Sequence, residues 1–183
     1  VFDAMGHGAL DAVNTPVLGA DGTLSGAQDL LKKIDIISHL IMRPGAVAPA
    51  AVPPVTARTT FADRPPMVLL GASTGGPAAL AAIFSKLPQT FNAAMVVIQH
   101  VDKEFAPDLA IWLAGHSHLS VRVAPDGCPP EIGTVWLAGT NDHLIMRPGG
   151  MLEYRREPVG CFYRPSVDVF FKSVAEHWPA SGV

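Results

Sequence analysis

From Ala93 to Ile98 every residue is apolar. A segment that short with no polar position has no face to give to water, which marks a strand buried on both sides of a parallel sheet. Parallel neighbours need crossover connections, and the sequence supplies them. Met67 to Leu70 is a second short apolar run, followed by the turn Gly71-Ala72-Ser73-Thr74-Gly75-Gly76 and by Pro77, which the first turn of a helix tolerates. Leu80, Ile83, Phe84 and Leu87 then share one helical face, and Phe105, Leu109, Trp112 and Leu113 mark another helix with Asp102 placed to cap it. Leu119 to Val123 and Thr134 to Leu137 have strand composition. His143 to Arg147 and Met151 to Arg155 flank Pro148-Gly149-Gly150 as a hairpin, and Val167, Phe170, Phe171 and Val174 repeat at helical spacing after Pro165. The expected fold is α/β, a doubly wound and mostly parallel sheet with an inserted hairpin.

The residues before Met67 follow a different logic. Ala9 to Val13 predicts a strand stopped by Thr15-Pro16, and Ser25 with Gln28 forms a capping-box pattern ahead of Leu30, Leu31, Ile34, Ile37, Leu40 and Ile41. One strand and one helix cannot bury a core by themselves. From Pro44 to Ala57 there is no charged residue, and prolines 44, 49, 53 and 54 interrupt an Ala/Val run, so residues 44–66 are expected to be an extended linker. This gives three parts: 1–43, the linker 44–66, and a domain from 67 to 183. No internal repeat is evident.

Composition removes several classes of function. A net charge of -3 lacks the basic stripe that nucleic acid requires. No uninterrupted apolar run is long enough to span a membrane, and the N-terminus has no signal-peptide pattern. Cys128 and Cys161 are too few for a disulfide scaffold and lack zinc-finger spacing, so a reduced, cytoplasmic setting is expected, without metal or cofactor. The first residue is Val1 rather than Met, so the chain is expected to begin inside a longer protein.

Gly71-Ala72-Ser73-Thr74-Gly75 fits the G-x-S-x-G nucleophile elbow in its required setting, an apolar strand before and a helix after. Small neighbours let the serine project from a tight turn, and the backbone N–H groups of Thr74, Gly75 and Gly76 at the helix start are candidates for an oxyanion site. The bland alternative is a glycine-rich turn with a capping serine. A Walker loop is disfavoured because no lysine stands here, and a dinucleotide fingerprint because Ser73 occupies the second glycine's place. His100 follows the buried strand just as Ser73 follows its own. If the two strands are parallel, both residues emerge at the carboxyl edge of the sheet, where open α/β sheets place their sites. A serine hydroxyl needs a base to take its proton, and histidine suits that task near neutral pH. His116 and His118 lack a third ligand for a metal, His7, His39 and His177 sit in weak contexts, and His143 opens the hairpin in a place the sequence does not fix. Cys128 has no obvious base and is read as incidental.

With these residues assembled, Leu69 to Pro77, Val97-Ile98-Gln99-His100 and Arg164-Pro165-Ser166-Val167-Asp168-Val169-Phe170-Phe171 resemble the catalytic domain of the chemotaxis protein-glutamate methylesterases, in order from about Met67 to Val183. The resemblance implies hydrolysis of glutamate γ-methyl esters on methyl-accepting chemotaxis receptors, releasing methanol, and in many members deamidation of receptor glutamines. It implies Ser73 as nucleophile, His100 as general base and Arg164 as a candidate substrate contact. Residues 1–43 resemble the last part of a response-regulator receiver domain, which implies a sensor histidine kinase as partner of the full-length protein and inhibition of the esterase until an aspartate is phosphorylated. That aspartate would lie in an earlier portion, so no phosphosite is assigned.

Three departures accompany the resemblance. The family's catalytic aspartate sits in a Gly-rich motif that would fall after Val183, so the 183-residue chain is expected to be poorly soluble and nearly inactive; Asp126, Asp142 and Asp168 are the internal candidates to replace it. Tyr163 stands where the family usually has a histidine, and Gly139 where proline is common. Two other readings stay open: a module that binds receptor or kinase without turnover, and a serine hydrolase acting on small esters.

Overall fold

The computed structural model describes residues 1–42 and 64–178, apart from Gly8, Leu10, Asp21 and Phe162. Most of the expected linker, 43–63, and the last five residues lie outside the described residues, as do the side chains of His39, Leu40 and Ile41.

The chain runs α1 (Phe2–Gly6), β1 (Val17–Leu18), β2 (Leu24–Ser25), α2 (Ala27–Met42), β3 (Met67–Ala72), α3 (Gly76–Phe84), β4 (Ala94–Gln99), α4 (Ala106–Ala114), β5 (Ser120–Val123), β6 (Thr134–Leu137), β7 (His143–Met146), β8 (Leu152–Arg155) and α5 (Val167–His177). Four strands form a parallel sheet in the order β3-β4-β6-β5. The hairpin β7–β8 is a separate antiparallel pair.

Helices cover both faces of the sheet, which accounts for the wholly apolar central strand. Along β4, Met95 and Val97 pack with Leu80 and Phe84 of α3 and Leu109 and Leu113 of α4. The alternate residues Ala94, Val96 and Ile98 pack on the other side with Phe170 and Val174 of α5 and with Leu144, Met146 and Leu152 of the hairpin. Every residue of β4 is buried. The hairpin therefore thickens the second core rather than extending the sheet.

Residues 1–42 depart from expectation. Where described, residues 9–13 are not a strand; Ala12 packs as coil against the first core instead. Ahead of it the short helix α1 inserts Phe2 and Met5 into the core formed with α3 and α4, each only 4% exposed, and Trp112 Nε1 donates to Asp3 Oδ1 at 3.1 Å. Helix α2 forms as expected from Ala27, with Ser25 lying in β2, where its hydroxyl donates to the Val17 carbonyl at 3.3 Å and holds β1 to β2. Leu31 and Ile34 of α2 stay exposed. Asp102 likewise does not cap α4. Its two oxygens accept from Asn141 Nδ2 at 3.1 Å and Asn14 Nδ2 at 3.4 Å, and the helix begins beyond Phe105 with no side-chain cap.

Candidate active site

Strands β3 and β4 are adjacent and parallel, with Ala72 opposite Gln99. Ser73 and His100 are the next residue on each strand, so the register itself brings them together at the carboxyl edge. His100 N–H donates to the Ala72 carbonyl at 3.1 Å, which continues the ladder one residue past the strands. Ser73 Oγ lies 3.2 Å from His100 Nδ1.

Two glycines make the turn possible. Gly75 caps α3 at φ +78, a left-handed conformation that side chains rarely adopt. Gly76 has no room for a Cβ, because it would overlap Gln99 Oε1. Gln99 is 2% exposed, and its Nε2 donates to the Ser73 carbonyl at 3.0 Å and the His100 carbonyl at 3.3 Å. One buried amide thus ties the nucleophile turn to the base. Sequence reasoning gave Gln99 no role, since an apolar strand ending in a polar residue is ordinary; only its place beside the histidine hinted at a clamp.

The oxyanion candidates separate. Gly76 N–H is committed to the Ser73 carbonyl at 2.7 Å. Thr74 and Gly75 have backbone N–H groups with no acceptor among the described residues, at the positive end of α3. Thr74 Oγ1 is buried beside them with no hydrogen-bond partner among the described residues.

Ser73 and His100 line a cleft of about 270 Å³ together with Asp11, Ala12, Val13, Lys32, Lys33, Val101, Asp102, Asn141, Tyr163 and Arg164. Arg164 lines this cleft. Asp126, Asp142 and Asp168 do not line it. Asp126 Oδ1 instead accepts from Tyr154 N–H at 2.9 Å, and Asp168 sits in the first turn of α5, where a carboxylate suits the helix dipole. Asp11, absent from those candidates, lies on the cleft wall and pairs with Lys33 at 2.8 Å. Nothing in the local pattern around Asp11 signals proximity to a site reached only through the tertiary fold.

Burial pushes the His100 imidazole below its ordinary value, because desolvation disfavours the charged ring. The Asp11 charge opposes that shift, as does the Pro165 carbonyl, which lies near the ring without meeting hydrogen-bond geometry, and Lys33 adds to it. An imidazole accepting the serine proton at Nδ1 carries its own proton on Nε2. His100 Nε2 is buried with no hydrogen-bond partner among the described residues, and that N–H is the donor a triad carboxylate would hold.

His143, which the sequence did not place, is fully buried away from the cleft. Its Nδ1 accepts from Ser166 N–H and its Nε2 donates to the Pro158 carbonyl, both at 3.1 Å. It pins both ends of the segment that carries Tyr163 and Arg164. His116 turns to its own helix, with Nδ1 2.8 Å from the Trp112 carbonyl.

Comparison with known proteins agrees with this geometry. The family model of the CheB methylesterase matches residues 68–183. The chain is 50% identical over 183 residues to protein-glutamate methylesterase/protein-glutamine glutaminase 4 of Burkholderia thailandensis, covering 100% of this chain and 53% of that protein. It is 48% identical over 184 residues to protein-glutamate methylesterase/protein-glutamine glutaminase 3 of Pseudomonas aeruginosa, covering 54% of it. The crystal structure of the Thermotoga maritima CheB methylesterase catalytic domain superposes with a TM-score of 0.57 at 33% identity, over 64% of each chain. The chain spans about half the length of the curated relatives it matches. A parallel sheet that sets a serine elbow beside a histidine, and the matched family spanning that whole sheet, place the chain in the CheB methylesterase family.

Proposed function

We propose that this protein hydrolyses glutamate γ-methyl esters on methyl-accepting chemotaxis receptors, releasing methanol, with Ser73 as nucleophile and His100 as general base. The observation that carries the reading is the 3.2 Å contact between Ser73 Oγ and His100 Nδ1 in an open cleft. Ser73 Oγ attacks the ester carbonyl while His100 takes its proton. The tetrahedral oxyanion faces the N–H groups of Thr74 and Gly75. His100 returns the proton to the departing methoxide, and methanol leaves an acyl-serine. Water then attacks with His100 again as base, giving the glutamate carboxylate and free Ser73. The same cycle on a receptor glutamine releases ammonia, which matches the double name of the relatives. Arg164, on the cleft wall, is the substrate contact.

Residues 1–43 are read as the end of a receiver domain, and the lining of the cleft by Asp11, Val13, Lys32 and Lys33 supports control of access from that side. A sensor histidine kinase and a cytoplasmic setting belong to the same reading. No helix among the described residues is long and apolar enough to cross a membrane. The carboxylate for His100 Nε2 is assigned to the Gly-rich motif that the family resemblance places after Val183.

The test is methanol release from receptors carrying labelled methyl esters, using this chain and a version continued past Val183. Release that depends on Ser73 supports the reading. Ser73 labelling by a fluorophosphonate with no methanol release from receptors points instead to a small-ester hydrolase.

A further inference from the structure

The imidazole of His100 is held by more than its serine. The ring of Tyr163 lies over it with centroids 4.5 Å apart and planes 11° from parallel. That is a stack, and it covers one face of the ring that must accept and return a proton. On the opposite end of the same ring, Nε2 has no hydrogen-bond partner among the described residues. Besides the Pro165 carbonyl near the ring, the described contacts on the imidazole are the Ser73 hydroxyl, near one ring atom, and the Tyr163 face. The stack has a firm base. His143 is fully buried and joins Pro158 to Ser166 through its two nitrogens, so the loop bearing Tyr163 is tethered at both ends to β7.

We propose that Tyr163 is a positioning residue for the general base: it holds the His100 ring in plane with Ser73 and favours the protonated imidazole that forms as Ser73 attacks. The physical basis is the electron-rich aromatic face, which attracts a cation lying against it and leaves a neutral ring largely indifferent. A flat ring also blocks rotation of the imidazole and excludes water from one side, and both effects help most at the moment of proton transfer. The assignment rests on the reading of His100 as base to Ser73.

Other charges act on the same imidazole and must be kept constant. Asp11 faces it from the segment before β1, Lys32 and Lys33 from α2, Asp102 from the turn after β4, and Arg164 from the Tyr163 loop itself. The variants therefore change Tyr163 alone. Tyr163→Leu keeps bulk over the imidazole and removes the aromatic face. Tyr163→Phe keeps the face. Tyr163→His keeps a flat ring and adds a group that titrates against His100.

The experiment follows the His100 ring by carbon–proton NMR through a pH titration, assigned with His100→Gln, and in parallel the rate at which a small fluorophosphonate labels Ser73. Tyr163→Leu is expected to lose the aromatic ring-current shift on His100 and to lower its titration midpoint by about half a pH unit, the size of a cation–aromatic contact. Labelling should slow about tenfold, as expected for a base free to leave its productive orientation. Tyr163→Phe should recover most of both losses, and Tyr163→His should split the titration and push the His100 step lower, since like charges oppose. If Ser73 labels in the parent protein while Tyr163→Leu changes neither the His100 titration nor the rate, the assignment fails and the hydrolytic reading stands. If Ser73 labels neither in this chain nor in the version continued past Val183, both fall.

Discussion

Lys33 Nζ lies 2.8 Å from Asp11 Oδ1, and both residues stand on the wall of the cleft that holds Ser73 and His100. Their side chains are 22% and 13% exposed, so water screens them only in part. Lys33 also donates to the Ala12 carbonyl. The pair fastens α2 to the segment before β1 directly above the site and sets opposing charges on the base.

The consequence is a pH signature. His100 must be neutral to accept a proton, so nucleophile activity is present at high pH and is lost as pH falls through the His100 value. That value is depressed by burial, which puts the acid limb below the ordinary 6.5 of histidine. Asp11→Asn removes a charge that favours the protonated ring and should move the limb lower still. Lys33→Met removes a charge that disfavours it and should move the limb higher. Fluorophosphonate labelling rates across pH read both shifts, and shifts in one direction for both variants would dissociate this pair from the base.

Ser73 and His100 act as one unit in this account. Ser73→Ala and His100→Gln should each abolish turnover with the fold retained by circular dichroism, and the double replacement should cost little beyond either alone. Additive losses from partly active single variants would make His100 a structural residue.

Gln99 is the clamp beneath the unit. Gln99→Leu removes the amide that bridges the Ser73 and His100 carbonyls, at a cost of about 1 kcal/mol per hydrogen bond lost, and loosens the turn that aims Oγ. Urea unfolding should show the loss of stability, and labelling should slow by more than that loss of folded protein explains. Gly76→Ala should fail more severely, because its methyl meets the same amide.

Phe2 and Met5 show how residues 1–42 are held. Phe2 is buried with its ring centroid 6.2 Å from that of Trp112. Phe2→Ala should release α1, shift Trp112 fluorescence toward that of a wetter indole, and cost up to about 3 kcal/mol. Residues 1–57 as an isolated peptide should show no protected amides, since the buried side chains of α1 pack on α3 and α4 and an isolated helix of the length of α2 is marginal in water.

Much of the domain from Met67 was legible because its signals are local. The apolar runs of β3 and β4, the 3.6-residue spacing of α3 to α5 and the Pro148-Gly149-Gly150 turn each specify an element without reference to the rest. The juxtaposition of Ser73 and His100 was legible for a related reason: each follows an apolar strand, and parallel register does the rest. Asp11, Gln99 and Tyr163 were not legible as parts of one site, nor His143 as the tether of the Tyr163 loop, because their positions depend on which element packs on which. The residues 9–13 show the opposite failure. Their strand-like composition had no sheet to join among the described residues, and packing of Ala12 and α1 against α3 and α4 decided their conformation. The cap assignment to Asp102 failed because its carboxylate found tertiary partners in Asn14 and Asn141.

The central claim is that Ser73 is a nucleophile activated by His100, and the most direct measurement is mass spectrometry of the protein after reaction with a fluorophosphonate. The account predicts a single adduct on the peptide carrying Ser73, absent in Ser73→Ala and formed far more slowly in His100→Gln at neutral pH. An adduct on another residue, or an unchanged rate in His100→Gln, would contradict it.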